Sequence, residues 1–222
     1  MISDCGFRIA DCGKKIGYAG RLCASALLLV VMLSGCAEKG PILLAVSYQP
    51  SGEQASPKKI TVGVSPFRDA RGVAVSVVGK RTIPSGLKNE LVVQGTAAEI
   101  ATASLKQALV SRGIAVKDAA GWDLTAEGMM ARGTALVLGG EIKTLWLEST
   151  ASPVKTHLQV GVQLKIVAGD PSEKKIIRTI DVSSKLDQDV LYSREKLEQA
   201  LSEALSSAID QIFKDEELKK IL

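Results

Sequence analysis

The fold of this chain is decided by residues 157–166, His-Leu-Gln-Val-Gly-Val-Gln-Leu-Lys-Ile. Every even position in this stretch carries a large apolar side chain, and every odd position carries a polar residue or glycine. Successive side chains of a strand point to opposite faces, so this alternation predicts a β-strand with one buried and one exposed face. Similar runs begin near Leu136 and Ile176, and turn residues at 152–153 and 168–171 separate the runs. The three runs predict an antiparallel meander.

The same alternation predicts which residues of the two flanking runs are buried, since residues two positions apart share one face of a strand. In the first run they are Leu136, Leu138, Ile142 and Trp146, and in the third they are Ile176, Ile180 and Val182.

The segment before the meander predicts one long helix and one short one. Thr96-x-x-Glu99 is a capping box, in which the hydroxyl and the carboxylate each satisfy an unpaired backbone N–H. Apolar residues follow at spacings of three and four, and Gly113 ends the helix. Residues 124–131 predict a short helix, with Trp122 as a core or capping contact.

The segment after the meander predicts a second long helix. Ser193 caps it, with Tyr192 and Leu197 placed for a hydrophobic staple. The chain thus has two helices with one apolar face each and a sheet with one apolar face. This pattern predicts an α+β fold, a two-layer sandwich of a mostly antiparallel sheet against two main helices. The apolar stripe of the last helix comprises Leu197, Ala200, Leu201, Ala204, Leu205, Ala208, Ile209, Ile212 and Phe213.

Towards the N-terminus the pattern is weaker. Residues 60–64 alternate as a strand that Pro66 ends, followed by a turn, and residues 114–116 predict another short strand. Residues 72–95 predict a long loop or a loose hairpin. Exposed apolar residues there would form an interaction surface: Val73, Val75, Val77, Val78, Leu91, Val92 and Val93.

The N-terminal 57 residues have the organisation of an exported protein. Residues 1–21 are basic, residues 22–33 are apolar over the length of a signal-peptide core, and Leu33-Ser34-Gly35-Cys36 resembles a bacterial lipobox. The resemblance implies cleavage before Cys36 and acylation of its thiol and its new amino group. We therefore expect a signal peptide at 1–35, a lipidated tether at 36–57 and a periplasmic domain at 58–222. Within the tether, residues 42–46 predict a short strand docked on the domain or, as the alternative, a partner-binding segment.

Motifs for catalysis and for metal or cofactor binding are missing from the sequence. Its one histidine, His157, falls on the exposed parity of a strand, and the three cysteines besides Cys36 precede the cleavage point. Gly79-Lys80 lacks the spacing of a P-loop. The processed chain would carry a net charge of only +2, which is too weak to indicate nucleic-acid binding. We expect no enzyme, no metal, no cofactor and no small-molecule substrate.

Four charged residues are the candidates for partner contact. Asp69 and Arg71 lie two positions apart after the first strand, where they can instead anchor the following loop by a charge-assisted hydrogen bond. Lys80 and Arg81 form a basic pair in the 72–95 segment, where the alternative is an ordinary solvated strand end.

Taken together, these motifs resemble the YajG-like lipoproteins of proteobacterial envelopes. The resemblance rests on the lipobox, Asp69-Ala70-Arg71, Gly79-Lys80-Arg81, residues 109–113 (Leu-Val-Ser-Arg-Gly) and residues 136–142 (Leu-Val-Leu-Gly-Gly-Glu-Ile). It implies a non-enzymatic protein. Ala37, where aspartate would favour inner-membrane retention, favours the periplasmic face of the outer membrane over the inner membrane.

Three functions follow as hypotheses. The first is a non-enzymatic, lipid-anchored domain that supports an outer-membrane or periplasmic assembly through an envelope protein partner. The alternative is an auxiliary lipoprotein of a lipid or lipopolysaccharide transport system, which similar small α/β lipoproteins suggest. The third is a hydrolase with a cryptic site, for which a deep pocket with converging polar groups would be required.

Overall fold

The computed structural model describes residues 40–50, 59–119, 121–129 and 133–222. The described part of the chain forms a mixed α+β domain with a large sheet and a few helices. The strands are β1 (Ile42–Leu44), β2 (Thr61–Val64), β3 (Arg68–Asp69), β4 (Val77–Thr82), β5 (Lys88–Val93), β6 (Ala115–Asp118), β7 (Leu136–Ala151), β8 (Thr156–Asp170) and β9 (Lys175–Val190). The helices are α1 (Ala97–Ser111), α2 (Arg194–Asp210) and the short α3 (Glu216–Ile221), with a 3-10 turn at Gln211–Lys214.

The predicted meander forms the long part of the sheet, with β7 joining it to the short strands and β9, among the described strands, pairing only with β8. β7, β8 and β9 are antiparallel neighbours and pair along almost their whole length. On β8 the predicted even positions from Leu158 to Ile166 are all buried, because that face packs on the core, while Gln159 and Gln163 are exposed. The alternation in residues 157–166 therefore predicted both the strand and its buried face.

On the side away from β8, β7 pairs with three short strands in succession. β2, β3 and β4 all run parallel to β7, at its beginning, middle and end respectively. Beyond them, β5 pairs antiparallel with β4, β1 pairs parallel with β5, and β6 pairs parallel with β2. The long pairings are antiparallel, as predicted, but the sheet is mixed.

A register shift in β7 reverses its buried parity. Lys143 is the extra residue between Ile142, which pairs with Leu164, and Thr144, which pairs with Gln163. After this bulge the buried side chains are Leu145 and Leu147, so the prediction that Trp146 shares the buried parity of Leu136 is wrong.

In the 72–95 segment the hairpin alternative is correct, since β4 and β5 form an antiparallel pair. The pairing of β4 with β5 directs the side chains of Val78, Leu91 and Val93 into the core, where each is at most 4% exposed. The prediction that these three are exposed is therefore wrong. Val73 and Val75 do lie on the surface.

Both long helices bury their apolar stripes in one core with the buried face of the sheet. The capping box of α1 is formed by Thr96 and Glu99, and Gly113 follows the helix in the left-handed conformation. Ser193 caps α2 by accepting from the Lys196 N–H. Leu197 and most of the predicted stripe are buried. These local predictions are confirmed.

The opposite face of the sheet is covered where β7 begins. Trp122 packs there with Met129, Val137 and Val167, and its Nε1 donates to the Thr125 carbonyl at 2.6 Å. The predicted core contact of Trp122 is confirmed. No helix forms over the described residues 124–129, and 130–132 lie outside the described residues.

The segment after β1 runs along α2. Backbone N–H groups of Ala45, Ser47 and Gln49 donate to Glu198, Ser202 and Ser206, which follow one another on successive turns of the helix. The predicted short docked strand within 42–46 is confirmed over Ile42–Leu44. The predicted tether of 36–57 therefore contains a segment, 40–50, that packs on the domain.

The end of that segment is held by a polar cluster. The Tyr48 hydroxyl donates to Asp210 at 2.6 Å and accepts from Arg112 at 2.8 Å. Arg112 also pairs with Asp210 at 2.8 Å and stacks on the ring of Phe213. Burial and the Asp210 hydrogen bond raise the pKa of Tyr48 above its usual value.

Candidate interaction surfaces

Asp69 and Arg71 form a nearly buried ion pair. Arg71 donates from Nε to Oδ1 at 2.8 Å and from Nη2 to Oδ2 at 2.7 Å, and only 4% of its side chain is exposed. The hydrogen bonds from Arg71 hold the pKa of Asp69 below its usual range. A two-point pair of this kind fixes the orientation of both side chains.

The same guanidinium fills the gap between β3 and β4 along one side of β7. On this side of β7, the pairing with β3 ends at Ile142 and the pairing with β4 begins at Leu147. Arg71 lies between them and its Nη1 donates to the Leu145 carbonyl at 3.2 Å. Arg71 Nη1 also donates to the Val77 carbonyl at 2.7 Å, and Nη2 donates to the Val75 carbonyl at 3.2 Å. The loop over residues 72–76 is thus tied at both ends to one buried side chain. This geometry is that of a loop anchor, and partner contact through Asp69 or Arg71 stays a prediction.

An open groove of about 250 Å³ lies beside this anchored loop. Its lining is formed by Arg71, Val73, Lys143, Thr144, Leu145 and Trp146. Lys143 is paired with Glu141 at 2.5 Å, and Val73 is 41% exposed. The groove is shallow, and its lining among the described residues is largely apolar. We call it, with Val75, the valine-loop groove.

Lys80 and Arg81 lie on β4 but point to different faces. Lys80 forms a partly exposed ion pair with Glu148 at 3.2 Å. The Arg81 guanidinium lies 3.6 Å from the centre of the Tyr192 ring, a cation–π geometry. Across the sheet Arg81 is the register partner of Ser149. Arg81 Nε and Ser149 Oγ are buried and make no hydrogen bond within the part of the chain that the structure describes.

The hydrophobic staple between Tyr192 and Leu197 stays a prediction. Tyr192 stacks under Arg81 and is 40% exposed, while Leu197 is buried in the core. Tyr192 therefore connects the sheet end, through Arg81, to the N-terminus of α2.

His157 lies on the exposed face of β8, as predicted. Its Nδ1 is 3.1 Å from Asp189 and its Nε2 is 3.5 Å from Asp187, both on β9. Among residues 40–50, 59–119, 121–129 and 133–222 there is no group of three or more His, Cys, Asp or Glu residues that could hold a metal ion. Cys36, the predicted lipidation site, lies outside the described residues. No helix within the described ranges is both long and apolar enough to span a bilayer.

Several exposed apolar residues were not singled out from the sequence. Leu87, Val154 and Leu191 are each more than half exposed, and each lies in a turn between elements. The signal available in the sequence is that a basic residue follows each of them within three positions: Lys88, Lys155 and Arg194. An apolar residue followed by a basic one is common in loops. The pattern therefore indicates a surface only when the three turns are known to lie at the same end of the sheet.

Solved structures with a similar outline come from several bacteria. A Xanthomonas campestris protein of the DUF330 family aligns at a TM-score of 0.49 with 12% identity, covering 82% of this chain and 98% of that one. A putative neuraminyllactose-binding hemagglutinin homolog from Helicobacter pylori aligns at 0.43 with 11% identity, covering 80% and 96%. A PelC variant from Paraburkholderia phytofirmans, crystallised as a dodecamer, aligns at 0.36 with 16% identity, covering 71% and 94%.

In sequence, no curated protein matches this chain. A family model does match it, over residues 94–222, and this range includes α1, the whole meander and α2. The model is described as uncharacterized lipoprotein. Because the match spans more than half of the 222 residues, this chain belongs to that lipoprotein family.

Proposed function

We propose that this protein is a lipid-anchored, non-enzymatic envelope lipoprotein that supports an outer-membrane or periplasmic assembly through protein–protein contacts. In this proposal Cys36 carries the lipid, and the domain lies on the periplasmic face of the outer membrane. The relationship to the YajG-like lipoproteins and the two-layer arrangement of sheet and helices belong to the same proposal. Membership of a lipoprotein family supports the anchor.

The observation that carries the contact function is the rigid valine-loop groove. Arg71 ties the loop through three backbone carbonyls and Asp69, so Val73 and Val75 are presented on a segment with few internal degrees of freedom. A preorganised surface loses less conformational entropy on binding than a mobile loop does. Exposed apolar side chains on such a surface are typical of protein contacts. The partner class that fits is another envelope protein with an apolar protrusion.

The anchor is tested by fractionation of cells that express the full chain. Cys36→Ser should move the protein from the membrane to the soluble fraction, because no acyl chain can be attached. Cys23→Ser is the matched control, since that thiol lies upstream of the cleavage point and its loss should leave the protein in the membrane. A Cys36→Ser protein that stays in the membrane would contradict the anchor.

The contact is tested by photo-crosslinking in intact cells. A photoreactive amino acid at position 73 or 75 should give one discrete protein adduct, and the same probe at position 110 should not. Val110 is an exposed valine near the end of α1, whereas it is the start of α1 that lies beside the loop, where the Ala97 N–H donates to the Val75 carbonyl. In addition, Val73→Asp should abolish an adduct formed from position 75 while the thermal melt is retained. Equal adducts from all three positions, or none, would count against a contact at this groove.

A further inference from the structure

The chain enters the domain at the end of the sheet where β7 ends. The Gly40 carbonyl accepts from Asn89 Nδ2 at 2.7 Å, and Asn89 is the register partner of Arg81. Arg81 in turn pairs with Ser149, two residues before β7 ends at Ala151. The first described residue is therefore positioned at this end.

Very little chain separates this entry point from the proposed lipid. Cys36 precedes Gly40 by four residues, and four fully extended residues span at most ~14 Å. The inference made here rests on the proposed function, in which Cys36 is acylated. With acyl chains in the bilayer, a connection this short keeps the entry end of the domain close to the lipid headgroups.

Three turns meet at the same end, and each presents an apolar side chain to solvent. Leu87 lies in the turn between β4 and β5, Val154 in the turn between β7 and β8, and Leu191 with Tyr192 between β9 and α2. Their register places them together, because Thr82 pairs with Thr150 and Thr156 pairs with Val190. The exposed fractions are 51%, 80%, 78% and 40% respectively. We call these four residues the entry rim.

The charges around the entry rim suit a lipid surface. The three turns, 83–87, 152–155 and 191–193, contain no acidic residue. A cation closes or directly follows each turn: Lys88, Lys155 or Arg194. Asp189 pairs with Lys155, and Glu198 pairs with Arg194 at 3.0 Å, so the net positive field is modest. Apolar insertion is therefore the larger contribution, with long basic side chains placed to reach headgroup phosphates.

Tyr192 adds a residue type that favours the membrane interface. Its ring is 40% exposed and lies against the Arg81 guanidinium, which restricts its orientation. Aromatic side chains with one polar end favour the headgroup region of a bilayer. From the short connection, the convergence of the three turns and their composition, we propose that the entry rim rests in the headgroup layer of the membrane that holds the lipid anchor, with the far end of β7 pointing away from it.

The test uses the full lipidated protein in vesicles of phosphatidylethanolamine and phosphatidylglycerol. Val154→Cys and Leu191→Cys each receive an environment-sensitive fluorophore, and the vesicles carry nitroxide on the lipid headgroups. In the processed and acylated chain the introduced thiol is the one free cysteine. Quenching at 154 and 191 should be severalfold stronger than quenching of a label at Val110→Cys.

Val110 is the matched control because it is an exposed valine at the opposite end of the domain. It lies near the end of α1, and the next strand, β6, starts opposite Thr61, beside the beginning of β7. The 16 residues of β7 separate the two ends by about 50 Å. All three positions are exposed, so labelling should leave the melt unchanged.

Two results would overturn the inference, and they are distinguishable. If the protein sediments with the vesicles but labels at 154 and 191 are quenched no more than the label at 110, the anchor stands and the membrane-facing rim is wrong. If the protein does not sediment with the vesicles at all, the anchor and the rim both fail.

Discussion

Arg71 holds the carboxylate of Asp69 by two parallel hydrogen bonds, Nε to Oδ1 at 2.8 Å and Nη2 to Oδ2 at 2.7 Å. The two residues are only two positions apart, yet Arg71 also reaches the Leu145 carbonyl on β7. The pair therefore connects a local turn to the central strand. It explains how three short strands can cover one edge of β7 although the chain leaves the sheet between them.

Asp69→Asn should destabilise the domain by about 3 kcal/mol, because it leaves the buried Arg71 without its counter-charge. The free energy of unfolding in urea measures this effect. Asp118→Asn is the matched control, since the Asp118 ion pair with Lys106 is exposed, and its loss should cost less than about 0.5 kcal/mol. Equal losses in the two variants would show that the Asp69 pair is no more than a surface contact.

The contribution of Asp69 should depend on pH. Its pKa is lower in the folded chain than in the unfolded one, so folding favours the ionised form and unfolding takes up a proton as the pH falls. The stabilisation is present above the unfolded pKa of about 3.9 and is lost as the pH falls through the lower folded pKa. The stability difference between the wild type and Asp69→Asn should therefore narrow below about pH 4, as followed by urea unfolding at several pH values. A difference that is constant down to strongly acidic pH would contradict this coupling.

Gly79→Ala should destabilise the sheet by about 2–3 kcal/mol, because a Cβ there would lie 2.0 Å from the Leu147 carbonyl oxygen of β7. Gly161→Ala, on β8, is the control. Its added methyl would have its nearest neighbour at 3.7 Å, and the variant should be at least as stable as the wild type. Thermal melts of the two variants measure the contrast, and a neutral Gly79→Ala would mean that β4 does not lie this close to β7.

Tyr48→Phe should cost about 1–2 kcal/mol, because the hydroxyl bridges Asp210 and Arg112 where segment 40–50 meets α2. Tyr192→Phe removes a hydroxyl from a partly exposed ring and should cost less than about 0.5 kcal/mol. Urea unfolding of both variants is the measurement. If Tyr48→Phe unfolded like the wild type, the docking of segment 40–50 on α2 would be the wrong description.

Truncation after Leu191 should abolish cooperative unfolding, because it removes α2 and with it the stripe from Leu197 to Ile212 that is buried in the core. Circular dichroism during a thermal melt reports this. Removal of the last seven residues, 216–222, is a milder control that deletes α3 and should leave a cooperative transition at lower temperature. A cooperative melt of the longer truncation would show that the sheet folds without α2.

Much of the fold was predictable because its signals are local. The alternation of residues 157–166 predicted β8 and its buried face, and the Thr96–Glu99 capping box predicted the start of α1. Ser193 and the stripe behind it predicted α2 in the same way. Each of these patterns depends on the backbone periodicity of one segment, so no other part of the chain is needed to recognise it.

Other features depended on which segments lie side by side. The bulge at Lys143 reverses the parity of β7, so Trp146 faces away from the buried side that Leu145 and Leu147 occupy. The hairpin turned Leu91 into the core. Neither effect has a local signature, because a strand residue becomes buried only when a neighbouring strand or helix covers its face.

The features of the candidate surfaces also fall into two groups, those predictable from short sequence patterns and those that depend on the tertiary structure. The sequence determined that Asp69 and Arg71 could pair and that Cys36 could be acylated, because a pair at i and i+2 and a contiguous lipobox are short-range patterns. Only the tertiary structure decided that Arg71 reaches Leu145 and that Leu87, Val154 and Leu191 meet at one end of the sheet. These residues are separated by tens of positions, and it is strand register, set by the burial of whole faces, that brings them together.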